Sequence, residues 1–292
     1  MAGRLSSRVS ATASLVAALR ALASSTHATL VDPEDDVAAA LLPVPLRALL
    51  RTALAVRAGR TLLAPALARA SLGLADHIAL RSAFIDLQLR AALAAGCTQV
   101  VIVGAGLDSR AHRLPELRAA RVFEVDRAAG QRIKRARARG LPLLARVVRY
   151  VSADLARDSL AARLADAGHD ARAPSAWIVE GVLPYLDEAA RARLLAELAK
   201  CAARDSLLIA SYVPDDLTWL RICAPVVYSA LWAIGEPMLG VLSPAALARE
   251  LSASGFAPCA DTDTRDWARQ LCPNARREPL AVYERLVVAR RT

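Results

Sequence analysis

Residues 97–110 read CTQVVIVGAGLDSR, and residues 121–126, which read RVFEVD, follow them closely. In the first stretch an apolar run of strand type meets a turn that contains Gly104 and Gly106. The second stretch is another apolar run, and it ends in Asp126. Glycine lets the backbone approach a ligand closely, and a carboxylate at the tip of the neighbouring strand accepts hydrogen bonds from both ribose hydroxyls. This spacing predicts a strand, turn, helix and strand unit that binds a nucleoside cofactor.

The turn also indicates which nucleoside cofactor the unit prefers. Dinucleotide-binding turns carry a third glycine, which allows close helix packing beneath the pyrophosphate, and Ser109 stands at that position. A cofactor without a pyrophosphate, such as S-adenosyl-L-methionine, is therefore favoured over NAD. A NAD-linked oxidoreductase is the weaker alternative, and two such glycines also close ordinary strand-to-helix turns.

The composition is that of a globular, basic protein. Of the 292 residues, 55% are hydrophobic and only 4% are aromatic, so the core must consist mainly of Ala, Leu, Val and Ile. Lys and Arg (38) exceed Asp and Glu (28) by 10. Such a charge permits contact with nucleic acid or an anionic membrane, but the arginines are spread along the whole sequence. We interpret them as solvated helix faces and expect no nucleic-acid partner.

Cysteines and histidines are too dispersed to predict a metal site. The five cysteines form no CxxC pair, which fits structural thiols in a reducing, cytoplasmic compartment. The first 30 residues contain no acid, so a transit peptide is an open alternative, but Arg20 interrupts the apolar run that a signal peptide needs. Arginines also interrupt the longer apolar stretches, and no membrane span is expected.

The pattern of apolar residues changes near residue 95. Residues 1–95 have Leu and Ala at helical spacing and are predicted to form a helical segment that supplies a lid and part of the cofactor site. Residues 96–292 alternate β-rich runs with helices, which predicts an α/β fold with a doubly wound, mostly parallel sheet that binds the cofactor. After the fifth strand, a helical insertion at about 214–242 carries Trp219, Tyr228 and Trp232 and is predicted to be a lid.

The predicted elements have these limits. Strands are expected at residues 100–103, 121–125, 146–151, 176–180 and 207–213, with helices at 110–117, 128–139, 155–167 and 187–203 between and after them. A further helix is expected at residues 243–254 and a last strand at 281–289.

Polar or glycine positions follow four of the predicted strands at their carboxyl ends. They are Gly104 and Gly106 after the first, Asp126 after the second, Asp154, which is followed by Leu155, after the third, and Glu180 after the fourth. Because the carboxyl ends of parallel strands meet at one edge of a sheet, these positions are expected to converge. Asp154 alone would be as well explained as a helix cap, whereas four positions in register indicate a ligand site.

These segments resemble the leucine carboxyl methyltransferase-like family of S-adenosyl-L-methionine-dependent methyltransferases, in its bacterial O-methyltransferase branch. The resemblance rests on residues 80–86 (LRSAFID), 101–110 (VIVGAGLDSR), 123–126 (FEVD) with Lys134 downstream, 153–155 (ADL) and 177–186 (WIVEGVLPYL), and it extends to residues 235–237 and 266–267. It implies a class I methyltransferase fold, which is a Rossmann-like doubly wound sheet of seven strands with an N-terminal helical extension and a helical lid after strand 5.

The resemblance also implies roles for individual residues. Arg81 would clamp the methionine carboxylate, Gly104, Ala105 and Gly106 would form the cofactor turn, Asp126 would hold the ribose, Asp154 and Leu155 would address the adenine, and Glu180 would face the methionine portion. Tyr185, near the substrate, is the candidate catalytic residue. The sequence departs from the family pattern at Ser82 and Ser109, at residues 127–129 and at Pro184. Pro184 lies closest to the expected acceptor pocket, so the departures bear more on the acceptor than on the cofactor.

The predicted function is S-adenosylmethionine-dependent O-methylation of a carboxylate or hydroxyl on a small molecule, such as a secondary metabolite. The four histidines (His27, His77, His112 and His169) are interpreted as surface or packing residues, which leaves no obvious base and favours a carboxylate acceptor. Tyr185 or Asp216 would be the base for a hydroxyl acceptor.

Two alternative functions are open, a protein C-terminal carboxyl methyltransferase and a catalytically silent cofactor-binding protein. A nucleic-acid methyltransferase is disfavoured, because residues 180–185 (EGVLPY) lack the Pro-Pro-aromatic motif of base-amine methylation. The oligomeric state is left open.

Overall fold

The computed structural model describes residues 10–26, 29–217, 229, 231–233, 235–274 and 280–292. Three residues singled out in the sequence, His27, Trp219 and Tyr228, lie outside these ranges, as do one of the five cysteines, Cys223, and much of the predicted insertion at 214–242. Trp232 of that insertion is described and is largely exposed.

One sheet organises the described chain. Its strands are β1 (Gln99–Val103), β2 (Arg121–Asp126), β3 (Val147–Ser152), β4 (Ser175–Val179), β5 (Leu207–Pro214), β6 (Val241–Leu242), β7 (Phe256–Asp263) and β8 (Arg285–Arg291). The order along the sheet is β3-β2-β1-β4-β5-β8-β7, and the two-residue β6 pairs with the end of β5. The five strands from β3 to β5 run parallel, while β8 is antiparallel to both of its neighbours. The predicted doubly wound, mostly parallel sheet is confirmed; seven strands form its continuous order, as expected, and β6 adds an eighth.

Helices cover both faces of this sheet and form most of the N-terminal region. They are α1 (Ala11–Thr26), α2 (Ala38–Leu41), α3 (Val44–Ala55), α4 (Ala64–Ala70), α5 (Leu74–Ala94), α6 (Arg110–Arg113), α7 (Ala128–Arg137), α8 (Leu160–Asp166), α9 (Glu188–Cys201), α10 (Pro244–Ala253) and α11 (Thr264–Leu271). A π-helical turn (Gly59–Leu63) joins α3 to α4, and 3-10 turns lie at Pro115–Ala119 and Leu183–Tyr185. None of the described helices combines the length and the apolarity that a membrane span requires.

The alternation of side chains along β1 produces two cores. Every residue of β1 is buried, as is typical of a parallel strand covered on both faces. Val101 and Val103 lie in a core with the apolar residues of α8, α9 and α10. Val100 and Ile102 point to the other face and lie in a core with α5 and α11. The sheet is therefore fixed between two helical layers.

Helix α5 joins the N-terminal region to the sheet. Leu80, Phe84, Ile85 and Leu89 are buried in the same core as Val100. Phe84 stacks on Trp267 of α11, with 5.9 Å between ring centroids. The last helix of the predicted 1–95 segment is thus held by the same apolar packing as the sheet, and this packing sets the position of Arg81.

Three predicted boundaries were wrong, two of them for identifiable reasons. Helix α6 ends at Arg113 rather than near residue 117, because Pro115 forces the preceding Leu114 into an extended conformation. Helix α8 begins at Leu160 rather than at residue 155, with Ser159 as its N-cap. The last strand begins at Arg285 rather than at residue 281.

Strand β7 and helix α11 were not predicted. Strand β7 lies at the sheet edge and is mostly exposed or half-buried, with Pro258 and an irregular register in its first half, so it lacks an apolar pattern. Helix α11 begins with a capping box between Asp263 and Asp266, a local signal that sequence analysis did not use.

Replacing Phe84 by Ala tests whether α5 shares the core of the sheet. Loss of a buried aromatic side chain is expected to lower the free energy of unfolding by about 3–5 kcal/mol, measured by urea denaturation. Leu49→Ala, at a position 67% exposed, is the matched control and should change it by less than about 0.5 kcal/mol. Equal, small effects of both substitutions would contradict the packing described.

Candidate functional site

The turn after β1 requires glycine and is held by the end of β2. Gly104 and Gly106 have φ angles of +67° and +46°, which favour glycine. A Cβ atom at residue 104 would also lie 2.5 Å from a methyl carbon of Val182. The Ala105 N–H donates to the carbonyl of Val125 at 3.0 Å, and the Gly106 N–H donates to Oδ2 of Asp126 at 2.7 Å. Two of the predicted cofactor residues, Gly106 and Asp126, are therefore in direct contact.

The Asp126 carboxylate stands at the tip of β2, directly before α7. Its Oδ1 accepts from the Arg127 N–H at 2.6 Å, so each oxygen has one backbone donor. Each oxygen also has a second lone pair, so the carboxylate can accept further hydrogen bonds. The position at a helix N-terminus favours its negative charge.

The predicted adenine-side residues follow β3 and lie next to the β2 tip. The Ala153 N–H donates to the Asp126 carbonyl at 3.0 Å, which ties the ends of the two strands together. Oδ1 of Asp154 accepts from the Ala156 N–H at 3.0 Å, so Asp154 orders a turn and is not the N-cap of α8. Leu155 is half-buried and packs against the core on that face.

Glu180, at the end of β4, joins two buried arginines. Its Oε1 accepts from Nε of Arg81 at 3.1 Å and lies 2.9 Å from Nη2 of the same guanidinium. Its Oε2 accepts from Nη1 of Arg110 at 3.0 Å. The Glu180 side chain is 13% exposed, whereas those of Arg81 and Arg110 are 5% and 0% exposed. The predicted pair Arg81 and Glu180 thus forms a direct, nearly water-free ion pair.

A second carboxylate, Glu284, also contacts Arg81. Glu284 lies immediately before β8 and accepts a hydrogen bond from Nη1 of Arg81. Its side chain is 15% exposed. Both sides of the Arg81 guanidinium therefore face carboxylates from different strands of the sheet. Glu284 was not predicted, because it lies in none of the recognised segments and is 203 positions away from Arg81.

Arg110 extends the cluster toward the N-terminal helices. Its Nε donates to Oδ1 of Asp86 at 2.7 Å, and its Nη1 donates to Asp108. Nη2 of Arg113 lies 2.6 Å from the other oxygen of Asp86. Asp86, Asp108 and Arg110 all lie within the segments quoted from the sequence. The contact between Asp86 and Arg110, which are 24 positions apart, becomes apparent only in the folded structure.

The cations hold these carboxylates in the ionised state. Burial alone raises the pKa of Glu180, but Arg81 and Arg110 outweigh it and lower the pKa below its ordinary value. Burial also raises the pKa of Glu284, but Arg81 and His77 outweigh burial and lower this pKa to about 2. Burial lowers the pKa of Arg81, but Glu284 and Glu180 outweigh burial and together raise it above its ordinary value. At neutral pH the cluster consists of charged groups.

Tyr185 lies beside the N-terminus of α1. Burial raises the pKa of its phenol, and a hydrogen bond with Thr12 opposes that rise. Thr12 in turn donates to Glu236, a residue of the segment that follows β5, and Oε1 of Glu236 accepts from the Ala11 N–H at 2.7 Å. Glu236 therefore caps α1, where its charge is favourable, and it was not among the predicted site residues.

Helix α1 lies over the glycine turn. A Cβ atom on Gly106 would come within 3.4 Å of the Ala13 Cβ, and Nη2 of Arg20 donates to the Leu107 carbonyl at 2.7 Å. The N-terminal helices therefore border the same edge of the sheet as the strand tips.

The described histidines are buried rather than exposed. Nδ1 of His77 lies 2.6 Å from Oγ1 of Thr264, and its Nε2 lies 3.9 Å from Glu284. Burial lowers the pKa of His77, of His112 and of His169, the last to about 4. The packing interpretation fits these residues, but His77 lies at the edge of the arginine cluster, which was not foreseen. Among the described residues no group of three or more His, Cys, Asp or Glu is arranged to hold a metal ion.

Comparison with known proteins gives a consistent assignment. The family model "Leucine carboxyl methyltransferase" matches residues 13–199. A provisionally named S-adenosyl-L-methionine-dependent methyltransferase of Streptomyces coelicolor is 41% identical over 138 residues, which are 47% of this chain and 49% of that protein. One from Mycobacterium sp. (strain JLS) is 36% identical over 218 residues, which are 74% of this chain and 70% of that protein. The first of these alignments spans about half of the relative's length.

Solved structures of low sequence identity share the fold. A DUF574 family protein from Streptomyces avermitilis has a TM-score of 0.58 and 19% identity, with 78% of this chain and 89% of that chain covered. A provisionally named methyltransferase from Thermobifida fusca has a TM-score of 0.57 and 18% identity, with 83% and 93% covered. At this identity the likeness concerns the fold alone.

The pKa of Glu284 predicts how stability depends on pH. A carboxyl whose pKa is lower in the folded than in the unfolded protein stabilises the fold above its ordinary pKa, which is 4.5 for Glu284, and this contribution is lost as the pH falls toward about 2. The contribution is on the order of 3 kcal/mol. Urea unfolding between pH 7 and pH 3 should therefore show a smaller loss of stability in Glu284→Gln than in the wild type.

The control for this measurement is Glu188→Gln, at an exposed position of α9. This variant should follow the wild-type pH dependence. If Glu284→Gln also follows it, Glu284 is not held ionised by Arg81 and the described pairing is wrong.

Proposed function

The chain belongs to the leucine carboxyl methyltransferase family, and we propose that it transfers the methyl group of S-adenosyl-L-methionine to an oxygen atom of a small-molecule acceptor. The observation that carries the proposal is the buried pair of Arg81 and Glu180 at the strand edge that also holds the glycine turn and Asp126. The opposite charges of Arg81 and Glu180 suit a ligand that has both a carboxylate and an ammonium group.

Each of these residues would suit one group of S-adenosylmethionine. Arg81 offers parallel N–H donors to the methionine carboxylate, and such charge-assisted hydrogen bonds are strong. Glu180 would accept from the methionine ammonium. Asp126 has the free acceptor capacity that two ribose hydroxyls would need. Asp154 and Leu155 would lie beside the adenine. That Arg81 already binds a carboxylate, from Glu284, supports the fit.

The cofactor, when bound, supplies an activated methyl group on a sulfonium. The protein's part in such an in-line displacement is to position the acceptor and exclude water. A carboxylate acceptor is ionised at neutral pH and needs no base. Burial keeps the pKa of Tyr185 above its ordinary value, so its phenol stays protonated and can donate a hydrogen bond that orients the acceptor.

We infer that the two predicted lid regions cover this site through their described parts, α1 and the segment around Glu236. The contacts that support this role are those of α1 with the glycine turn and of Glu236 with the start of α1. Closure by these elements would exclude water from the transferring methyl group.

Arg81→Ala tests the cofactor assignment. Loss of a charge-assisted contact should weaken the binding of S-adenosylhomocysteine, a stable product analogue, by roughly 1.5–3 kcal/mol, which is a tenfold to hundredfold loss in isothermal calorimetry. Arg90→Ala, at a half-buried position of the same helix, should leave the affinity unchanged. Circular dichroism checks folding, and Arg81→Gln repeats the test with more volume retained. Wild-type affinity in both folded Arg81 variants would remove Arg81 from the site.

The acceptor class is tested by turnover. The full chain with S-adenosylmethionine is offered a panel of carboxylic acids and phenols, peptides with a free C-terminus, and RNA, and each is analysed by mass spectrometry. A gain of about 14 Da, one CH₂, on a small acid or phenol is expected from methyl transfer to oxygen. Methylation confined to peptides or RNA would contradict the acceptor class. Cofactor binding without turnover on any of the four would favour a catalytically silent protein.

A further inference from the structure

Large apolar side chains are unusually exposed on the helices before α5. Seven aliphatic residues between residues 44 and 72 are between 45% and 80% exposed, and they are Val44, Leu49, Val56, Leu62, Leu63, Leu67 and Leu72. They make up seven of the twelve large hydrophobic residues that are exposed in the described part of the chain. Helix α3 has no buried residue at all. We call the exposed side of α3, the π-helical turn and α4 the N-terminal apolar surface.

The inner and outer sides of this surface differ in residue size. Gly59, Ala64 and Ala68 are buried, so small residues form the side that faces the protein. The residues between and beside them, among them Leu62 and Leu67, are exposed. Seven exposed apolar side chains on consecutive helical elements exceed the single, scattered ones that are normal on a protein surface, and they indicate an interaction surface.

The charge of the same region is entirely of one sign. Residues 37–75 contain five arginines, Arg47, Arg51, Arg57, Arg60 and Arg69, and no Asp or Glu. Among the described residues none of these arginines forms an ion pair with an acid; Arg60 donates only to the Leu54 carbonyl and Arg47 to the Ala40 carbonyl. The surface therefore combines exposed leucines with unneutralised positive charge.

We propose that the N-terminal apolar surface binds the surface of an anionic membrane. Leucines enter the boundary between headgroups and acyl chains, while arginines contact lipid phosphates, as in interfacial amphipathic helices. A second copy of the chain fits this surface less well, because a two-fold interface would bring the arginines of both copies together without any acid. The inference does not depend on methyl transfer.

Vesicle flotation with the full chain tests the proposal. The protein should float with vesicles of phosphatidylcholine that contain roughly a third phosphatidylglycerol, and bind much less to phosphatidylcholine alone. The double variant Leu62→Ser/Leu67→Ser should reduce binding by about tenfold or more, since two leucines no longer enter the bilayer. The matched control is Leu143→Ser, at a residue 50% exposed elsewhere on the molecule, and it should bind like the wild type. Both changes are at exposed positions, and circular dichroism verifies folding.

A second pair of variants separates local from overall charge. Arg57→Gln/Arg60→Gln should lower binding to the anionic vesicles by on the order of tenfold, and Arg132→Gln/Arg135→Gln, two exposed arginines on α7, should have little effect. Equal losses in both pairs would mean that net charge alone drives binding and would overturn the proposal. Absence of wild-type binding to anionic vesicles would also overturn it. A third result would overturn the proposal as well: light scattering shows a wild-type dimer, Leu62→Ser/Leu67→Ser converts this dimer to a monomer, and the monomer binds vesicles as the wild type does.

Discussion

The Glu180 carboxylate connects two buried arginines that reach it from different elements, Arg81 from α5 and Arg110 from α6. An unpaired charge at this depth would be costly, so each partner constrains the others. Because Glu180 ends β4 and Arg110 begins the crossover after β1, the pairing also fixes where the two central strands end relative to α5. The geometry of the candidate site is in this sense a consequence of charge pairing at the edge of a tightly packed sheet.

The same pairing limits how a ligand can enter. Arg81 is shared between Glu180 and Glu284, and a ligand carboxylate that binds Arg81, as proposed, would take the place of one of them. Glu180 is bound by two arginines, Arg81 and Arg110, whereas Arg81 is the one arginine that contacts Glu284 among the described residues. Glu284 is therefore the carboxylate that a ligand displaces at lower cost.

The sheet, its order of strand tips and the helical N-terminal region were predictable, because buried parallel strands leave continuous apolar runs with glycine or acid at their ends. The sequence also indicated Gly106, Asp126, Arg81 and Glu180, and the fold brings them together in two directly bonded pairs. Glu284 and Glu236 were not predictable, since each meets its partner across more than 200 positions. Strand β7 was missed because it lies at the sheet edge and has no apolar alternation.

A crystal structure with S-adenosylhomocysteine is the sharpest test of the site, because it locates the methionine carboxylate relative to Arg81. We expect this carboxylate on the Arg81 guanidinium, with Glu180 near the ammonium, the ribose on Asp126 and Glu284 turned away from Arg81. A ligand bound away from the strand tips, or an Arg81 still held by both glutamates beside the bound ligand, would contradict the proposed cofactor site.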